Sequence, residues 1–531
     1  MILLLQASAS TTELFRVSDL LLIAPELILT VCACVALVME VILPYRKSKV
    51  TAYFSLAGLA LAAVSLYLTL WQVSGTLKFW EIEGSLPAFE GFYGMVRVDG
   101  FALLFKAIFL MAAALAIGVS VRYLDIESEQ HGEYYALVLF ATTGMMFLAC
   151  GYDLIALYVS LELMALTFYV LVAFTKRERR SNEAAMKYFL LGAFSSGILL
   201  YGMSLLYGVT GSTNLGQIAQ GVSAALSVPP EELGLGVSLP LRPLILLGMI
   251  ALAAGLFFKI SAVPFHMWAP DAYEGAPTSV TAFLSTGSKA ASFALYARIF
   301  MEALGGMRLD WAPLLGLVAA ITIFVGNWAA VTQDNSKRLL AYSSISNAGY
   351  LLLGLIAGNS YGYIGLVIYL LVYTLMNMGA FGVIISLRRR GIIGDNVDDL
   401  TGLGQKAPGV AAMMALFMLS LGGLPITGGF IGKYFLFGGL LQRGAEDKKN
   451  WYYWLAVWAI LNTVISFYYY VRFIRVMYLG DRVADNRPLA FSPALWTALI
   501  VSVIGIIFIG IYPQPLISLA KTLTASLLPP G

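Results

Sequence analysis

Charge is what this chain lacks most. Lys, Arg, Asp and Glu make up 12% of its 531 residues, while 60% are hydrophobic. A soluble domain carries roughly twice that charged fraction. Histidine and cysteine are scarcer still. With His131 and His266 as the two histidines, bis-histidine haem ligation is nearly excluded. The cysteines, Cys32, Cys34 and Cys150, all fall in apolar runs. They show no CxxC pair and no metal-ligand spacing, so they read as buried small hydrophobes. A net charge of +3 is too small to argue for nucleic acid. The first residues, MILLLQASASTTELFRVSD, lack a basic n-region, so a cleaved signal peptide is not expected. Enzyme signatures are missing too. GGFIGKY is no phosphate loop, because Thr427 stands where the first glycine is needed and Tyr434 where Ser or Thr is needed. There is no dinucleotide fingerprint and no iron–sulfur cysteine set, so redox chemistry is expected outside this chain.

What is present is a series of apolar runs, each about 20 residues long and so able to cross a bilayer core. They predict an all-α polytopic membrane protein of about 14 transmembrane helices. The spans fall near 20–43, 51–72, 98–121, 134–150, 153–174, 184–208, 242–260, 279–303, 311–332, 338–357, 361–387, 408–441, 451–478 and 492–512. A Gly- and Ser-rich loop at 209–240 has room for amphipathic turns. An even count places both termini on one side. Alternate loops holding RKSK, KRERR, RRR and the Arg472–Arg487 segment carry about twice the Lys and Arg of the others. That side is read as cytoplasmic and both termini as outside, with Arg443–Lys449 counting against.

Spans seven and twelve are interrupted, at Pro264 and Pro425, and each carries one lysine. Five spans separate them, an odd number, which is the signature of an inverted repeat with a site near the midplane. The match is imperfect, since Lys259 lies before its proline and Lys433 after its own. Pro264 cannot donate to the Ile260 carbonyl, nor Pro425 to that of Leu421. Both breaks therefore free backbone carbonyls for water or side-chain donors.

Glu162, Lys259, Lys289 and Lys433 all sit deep in apolar runs. Each costs on the order of 3 kcal/mol to place at a bilayer centre, so they are expected to face the protein interior. Burial disfavours an ammonium and a nearby carboxylate favours it, so moving one relative to the other can move a proton. Blander readings stand beside this one. Glu162 in a static ion pair, Lys289 in a polar helix contact among Ser285, Thr286 and Ser288, and Lys259 as a snorkelling helix end are all open. Lys187, in the first turns of span six, can snorkel. His266 can pass a proton or act as a structural residue. Asp99, Lys106 and Glu26 lie nearer the interfaces.

FKISAVPFHMWAPDAYEGAPTSV, NSKRLLAYSSISNAGY, EAAMKYFLLGAFSSG and LPITGGFIGKY resemble the antiporter-like subunits of respiratory complex I and of multisubunit cation/proton antiporters. The likeness covers nearly the whole chain. It is nearest the N-type subunit, because the chain stops soon after its last span and has Lys433 where the M-type usually has glutamate. The resemblance implies a proton channel of two inverted five-helix repeats, with discontinuous helices at spans 7 and 12. It implies a driving pair of Glu162 and Lys259, a central relay at Lys289 and an exit-side Lys433. On this basis residues 1–132 form N-terminal helices, 133–303 and 304–480 the two repeats, and 481–531 a C-terminal helix. FMN, iron–sulfur clusters and quinone would then sit in partner subunits, with other membrane subunits on both flanks. A subunit of a Na+/H+ antiporter or membrane-bound hydrogenase would use the same residues. A passive scaffold would have no need of four central charges.

Overall fold

The fold is set by what a chain with few charges must do in lipid, which is to satisfy every backbone group within helices. A computed structural model describes residues 17–42, 49–74, 86–127, 131–227, 241–388, 395–480, 489 and 491–527. The start of the chain, the 43–48 and 389–394 stretches, the second half of the 209–240 loop after Ser227 and Arg482–Arg487 lie outside the described residues.

The helices run in order as α1 (Ala24–Ile42), α2 (Lys49–Ser74), α3 (Gly100–Glu127), α4 (His131–Cys150), α5 (Leu154–Val172), α6 (Arg179–Thr210) and α7 (Leu215–Ser227). They continue as α8 (Leu241–Ile260), α9 (Trp268–Gly275), α10 (Thr278–Phe283), α11 (Lys289–Ala297), α12 (Arg308–Val331), α13 (Ser336–Ala357) and α14 (Ser360–Leu387). The last are α15 (Pro408–Gly422), α16 (Gly428–Asp447), α17 (Trp451–Leu479), α18 (Pro493–Ile511) and α19 (Gln514–Leu523).

Twelve helices among the described residues are long and apolar enough to cross a membrane. That is fewer than the expected 14 because two of the expected spans are segmented. The 279–303 run is helical throughout but passes through π-helical turns at Leu284–Ser288 and Arg298–Ala303. The 408–441 run is split into α15 and α16. The amphipathic turns expected near 209–240 take the form of α7. One local departure from an all-α chain is an antiparallel hairpin, β1 (Phe89–Gly91) paired with β2 (Val96–Val98). Helices α13 and α14 form the centre and are buried over most of their length. The outer helices expose Val38, Phe194, Trp454 and Ile504, the surface that lipid covers. Cys34 lies on such a face and is exposed, not buried as its apolar run suggests.

Two parts of the chain repeat one construction. Asp153 caps α5 and bridges Asn214, and Asn335 caps α13 and bridges Asn396. Around each bridge the same bonds recur, Leu154 N–H to Thr213 and Leu215 N–H to Tyr152 in one, Ser336 N–H to Asp395 and Val397 N–H to Asp334 in the other. Five expected spans separate α5 from α13.

Candidate functional site

Both interrupted spans break in the same way. At the end of α8, Ser261 adopts φ +61°, its N–H donates to the Phe258 carbonyl, and the Ala262 N–H donates to that of Phe257. At the end of α15, Gly423 adopts φ +83°, with matching bonds from Gly423 N–H to Ser420 and Leu424 N–H to Leu419. These are twin Schellman caps. The helices thus end before Pro264 and Pro425, which keep them from resuming at once. The caps also correct the proline-based alignment, because they pair Lys259 with Leu421 rather than with Lys433.

Lys259 lies in the last turn of α8 and is 5% exposed. Its Nζ has no hydrogen-bond partner among the described residues, and neither does the buried Oε1 of Glu162. Glu162 on α5 attracts the Lys259 ammonium through space without a direct ion pair. Glu162 itself is only partly buried. Lys289 opens α11 directly after the first π turn, a distortion common at functional sites. It is 2% exposed and donates to the carbonyl and the Oγ of Ser344, the latter at 2.5 Å. Lys433 on α16 is 3% exposed, donates to the Leu421 carbonyl at 2.9 Å and stands 5.0 Å from the Tyr350 ring centroid. The carbonyl expected to be freed near Pro425 thus finds a lysine.

Between Lys289 and Lys433 runs a band of hydroxyl and amide side chains. Ser343 Oγ meets Tyr470 Oη at 2.5 Å, Asn347 Nδ2 donates to the Ser343 carbonyl at 2.9 Å, and Tyr369 Oη donates to Asn347 Oδ1 at 2.5 Å. Tyr350 joins Asn327 and Thr463 at 3.3 and 3.2 Å. Ser346, Asn347 and Tyr350 lie three, four and seven residues after Ser343, so the four line one stripe of α13.

The remaining candidates sit apart. Lys187 is no buried lysine: its side chain is 47% exposed, and it pairs with Glu183 and Asp271, each at 2.9 Å. It lines a cleft of about 230 Å³ with Arg180, Asp271, Glu274 and Arg338. His266 lies in the break after α8, partly buried, and its Nδ1 has no partner among the described residues. Glu26 and Lys106 form a fully buried pair at 2.6 Å, with Cys150 Sγ 3.8 Å from the same carboxylate.

Sequence reasoning missed Arg298, wholly buried in the second π turn. It binds Asp99 at 2.7 and 2.9 Å, pairs with Glu302 and donates to the Ala149 carbonyl. A charged pair four residues apart, Arg298 and Glu302, beside an apolar run was the available signal. Asp271, Arg338 and the buried Lys337, which donates to the Ala276 carbonyl at 2.9 Å, were missed as well.

The comparisons agree with this construction. Residues 151–466 match the family model described as NADH:quinone oxidoreductase/Mrp antiporter, TM. NADH-quinone oxidoreductase subunit N 2 of Solibacter usitatus is 52% identical over 82% of this chain and 84% of its own length. Subunit N 1 of Koribacter versatilis is 49% identical over 95% of each chain. A chain of respiratory complex I from Thermus thermophilus superposes with a TM-score of 0.72 at 32% identity, covering 94% of this chain and all of its own. A chain of the Mrp complex from Dietzia, at 21% identity, covers 96% of this chain and 97% of its own with a TM-score of 0.78, and shares the fold. The chain therefore belongs to the NADH:quinone oxidoreductase/Mrp antiporter transmembrane family.

Proposed function

We propose that this chain is the N-type membrane subunit of an NADH:quinone oxidoreductase, and that protons cross it along Glu162, Lys259, Lys289 and Lys433. The supporting observation is the placement of three almost fully buried ammonium groups, each beside a helix break or a π turn. A lysine there is expensive to insert, and irregular backbone at membrane depth is tolerated only where it is buried in protein or lines a cavity. Burial disfavours an ammonium at Lys259 and the Glu162 carboxylate favours it, so separating the two releases a proton toward Lys289. The hydroxyl and amide band then carries it to Lys433. Residues 133–303 and 304–480 are read as the two repeats, with Lys187 at the mouth of the first and His266 beside its break.

The redox groups, FMN, iron–sulfur clusters and quinone, reside in partner subunits, and other membrane subunits flank this one. The chain is a multi-pass integral membrane protein, and both termini are assigned to the outer face of a bacterial-type cytoplasmic membrane. The relatives named above favour the oxidoreductase over an antiporter, because those sharing at least 30% identity are named as NADH-quinone oxidoreductase subunits or as respiratory complex I. Extraction in mild detergent tests this. Flavin- and iron–sulfur-bearing subunits should co-purify with the chain, and a preparation holding only antiporter subunits would refute the assignment.

A further inference from the structure

Besides Ser261 Oγ and His266 Nδ1 in the first break itself, four buried polar atoms on the helices around it have no hydrogen-bond partner among the described residues. They are Glu162 Oε1 and Tyr169 Oη on α5, Ser196 Oγ on α6, and Lys259 Nζ on α8. One such orphan is unusual in a folded interior, and groups of this kind are satisfied by ordered water. Tyr169 has no place in the proton path proposed above. It is 7% exposed.

Its position follows from helix geometry. Tyr169 lies seven residues after Glu162, about two turns and roughly 10 Å along the axis, on the same face. Side chains on a helix lean toward its N-terminus, so the phenol reaches back toward Glu162. Tyr169 is also in the last turn of α5, the end that adjoins the first turns of α6. Those turns hold Arg180, Glu183 and Lys187, which line the charged cleft with Asp271 and Glu274.

Aromatic rings adjoin the cleft residues in sequence, since Tyr188 is next to Lys187 and Trp268 is three residues before Asp271. Tyr188 stacks on Trp268 with ring centroids 4.3 Å apart, and Phe258 lies 5.2 Å from Trp268. Tyr169 stands edge-on to Tyr188 at 4.7 Å. Its hydroxyl packs against α6 at Gly192, where a Cβ would fall 2.0 Å from Tyr169 Oη. One turn further along α6, Ser195 donates to the Gly255 carbonyl at 3.1 Å, one turn before Lys259. Contacts at Gly192 and Ser195, one turn apart on α6, thus join Tyr169 on α5 to the last turns of α8 that hold Lys259.

We propose that Tyr169 is the relay residue between the charged cleft and Glu162. The proposal rests on the proton path given above and adds its inlet. A hydronium ion on the cleft side gives a proton to the phenol oxygen and becomes water, as the phenol gives its own proton, through a second water, to the Glu162 carboxylate, which becomes the neutral acid. The O–H bond lost on one side is replaced on the other, and Tyr169 ends neutral. The titratable groups around it are Glu162 and Tyr158 on α5 and Tyr188 on α6.

The test uses the whole complex in liposomes. Tyr169→Phe keeps the ring packing and removes only the hydroxyl, so it should lower coupled proton uptake to the level of Glu162→Gln. Replacing Tyr169 with trifluorotyrosine, nearly the same size but a stronger acid, should shift the pH profile of uptake. Wild-type uptake in Tyr169→Phe beside a deficient Glu162→Gln overturns the relay and leaves the path through Glu162 standing. Wild-type uptake in Glu162→Gln overturns both. Should Tyr169→Phe fail to assemble, an unshifted profile with trifluorotyrosine overturns the relay.

Discussion

The Lys433 ammonium donates to the Leu421 carbonyl at 2.9 Å, so the charge on one half-helix is held by the last turn of the other. The bond ties α16 to α15 across the break at Gly423. Replacing Lys433 with Met keeps the stem and removes the charge. Coupled proton uptake should then fall by on the order of 10²-fold at this step, the scale of a lost proton-transfer group, while the subunit still assembles. Uptake at the wild-type rate in liposomes holding Lys433→Met would remove Lys433 from the path.

Glu162 and Lys259 attract one another without touching, which leaves room for their separation to change. Lys259→Ala and Glu162→Ala should each impair pumping and coupled quinone reduction while much of the complex assembles. Parallel measurement of quinone reduction and vesicle acidification decides the matter. Unchanged pumping in either variant would sink the driving-pair mechanism.

Arg298 and Asp99 form a pair with no exposed surface on either side chain. Arg298→Leu strands a buried carboxylate and should destabilise the subunit by about 3–5 kcal/mol. It should appear as loss of assembled complex on native gels. Adding Asp99→Asn removes the stranded charge but keeps a side-chain acceptor for the Ala102 N–H, which Asp99 Oδ1 binds at 2.9 Å. The double variant should therefore assemble better than Arg298→Leu alone. Equal loss in both would show that Arg298 acts through packing rather than through charge.

These residues also mark where the sequence could and could not be read. The spans are legible because lipid demands long apolar runs, and Lys259, Lys289 and Lys433 are legible because they interrupt such runs. Arg298 is hidden because it sits near the end of its run with Glu302 close by, which looks like an interfacial pair. The two breaks are visible as prolines, but prolines misalign them, because the backbone turns earlier, at Ser261 and Gly423. Ser344 looks like one serine among several until Lys289 is seen to reach it. Tyr169 reads as part of an apolar helix, and the isolation of its hydroxyl emerges only when α5, α6 and α8 are packed together.

The twin caps make a paired prediction of opposite sign. Both Ser261 and Gly423 occupy the left-handed region at the residue that ends a helix. An L-residue there pays about 1–2 kcal/mol that glycine avoids. At 423 a Cβ would also come within 3.3 Å of the Lys433 side chain, so Gly423→Ala should lower stability by at least that amount and disturb Lys433. At 261 the present residue already bears the strain, and its buried Oγ has no partner among the described residues. Ser261→Gly relieves both, offset by the roughly 0.5–1 kcal/mol of extra chain entropy that glycine loses on folding. The net effect should be a gain of about 1 kcal/mol. Thermal unfolding of the detergent-solubilised subunit should show a lower Tm for Gly423→Ala and a higher one for Ser261→Gly. A lower Tm for Ser261→Gly would mean that its hydroxyl is held by water in the break, which would make Ser261 part of the hydrated path instead of a strained cap.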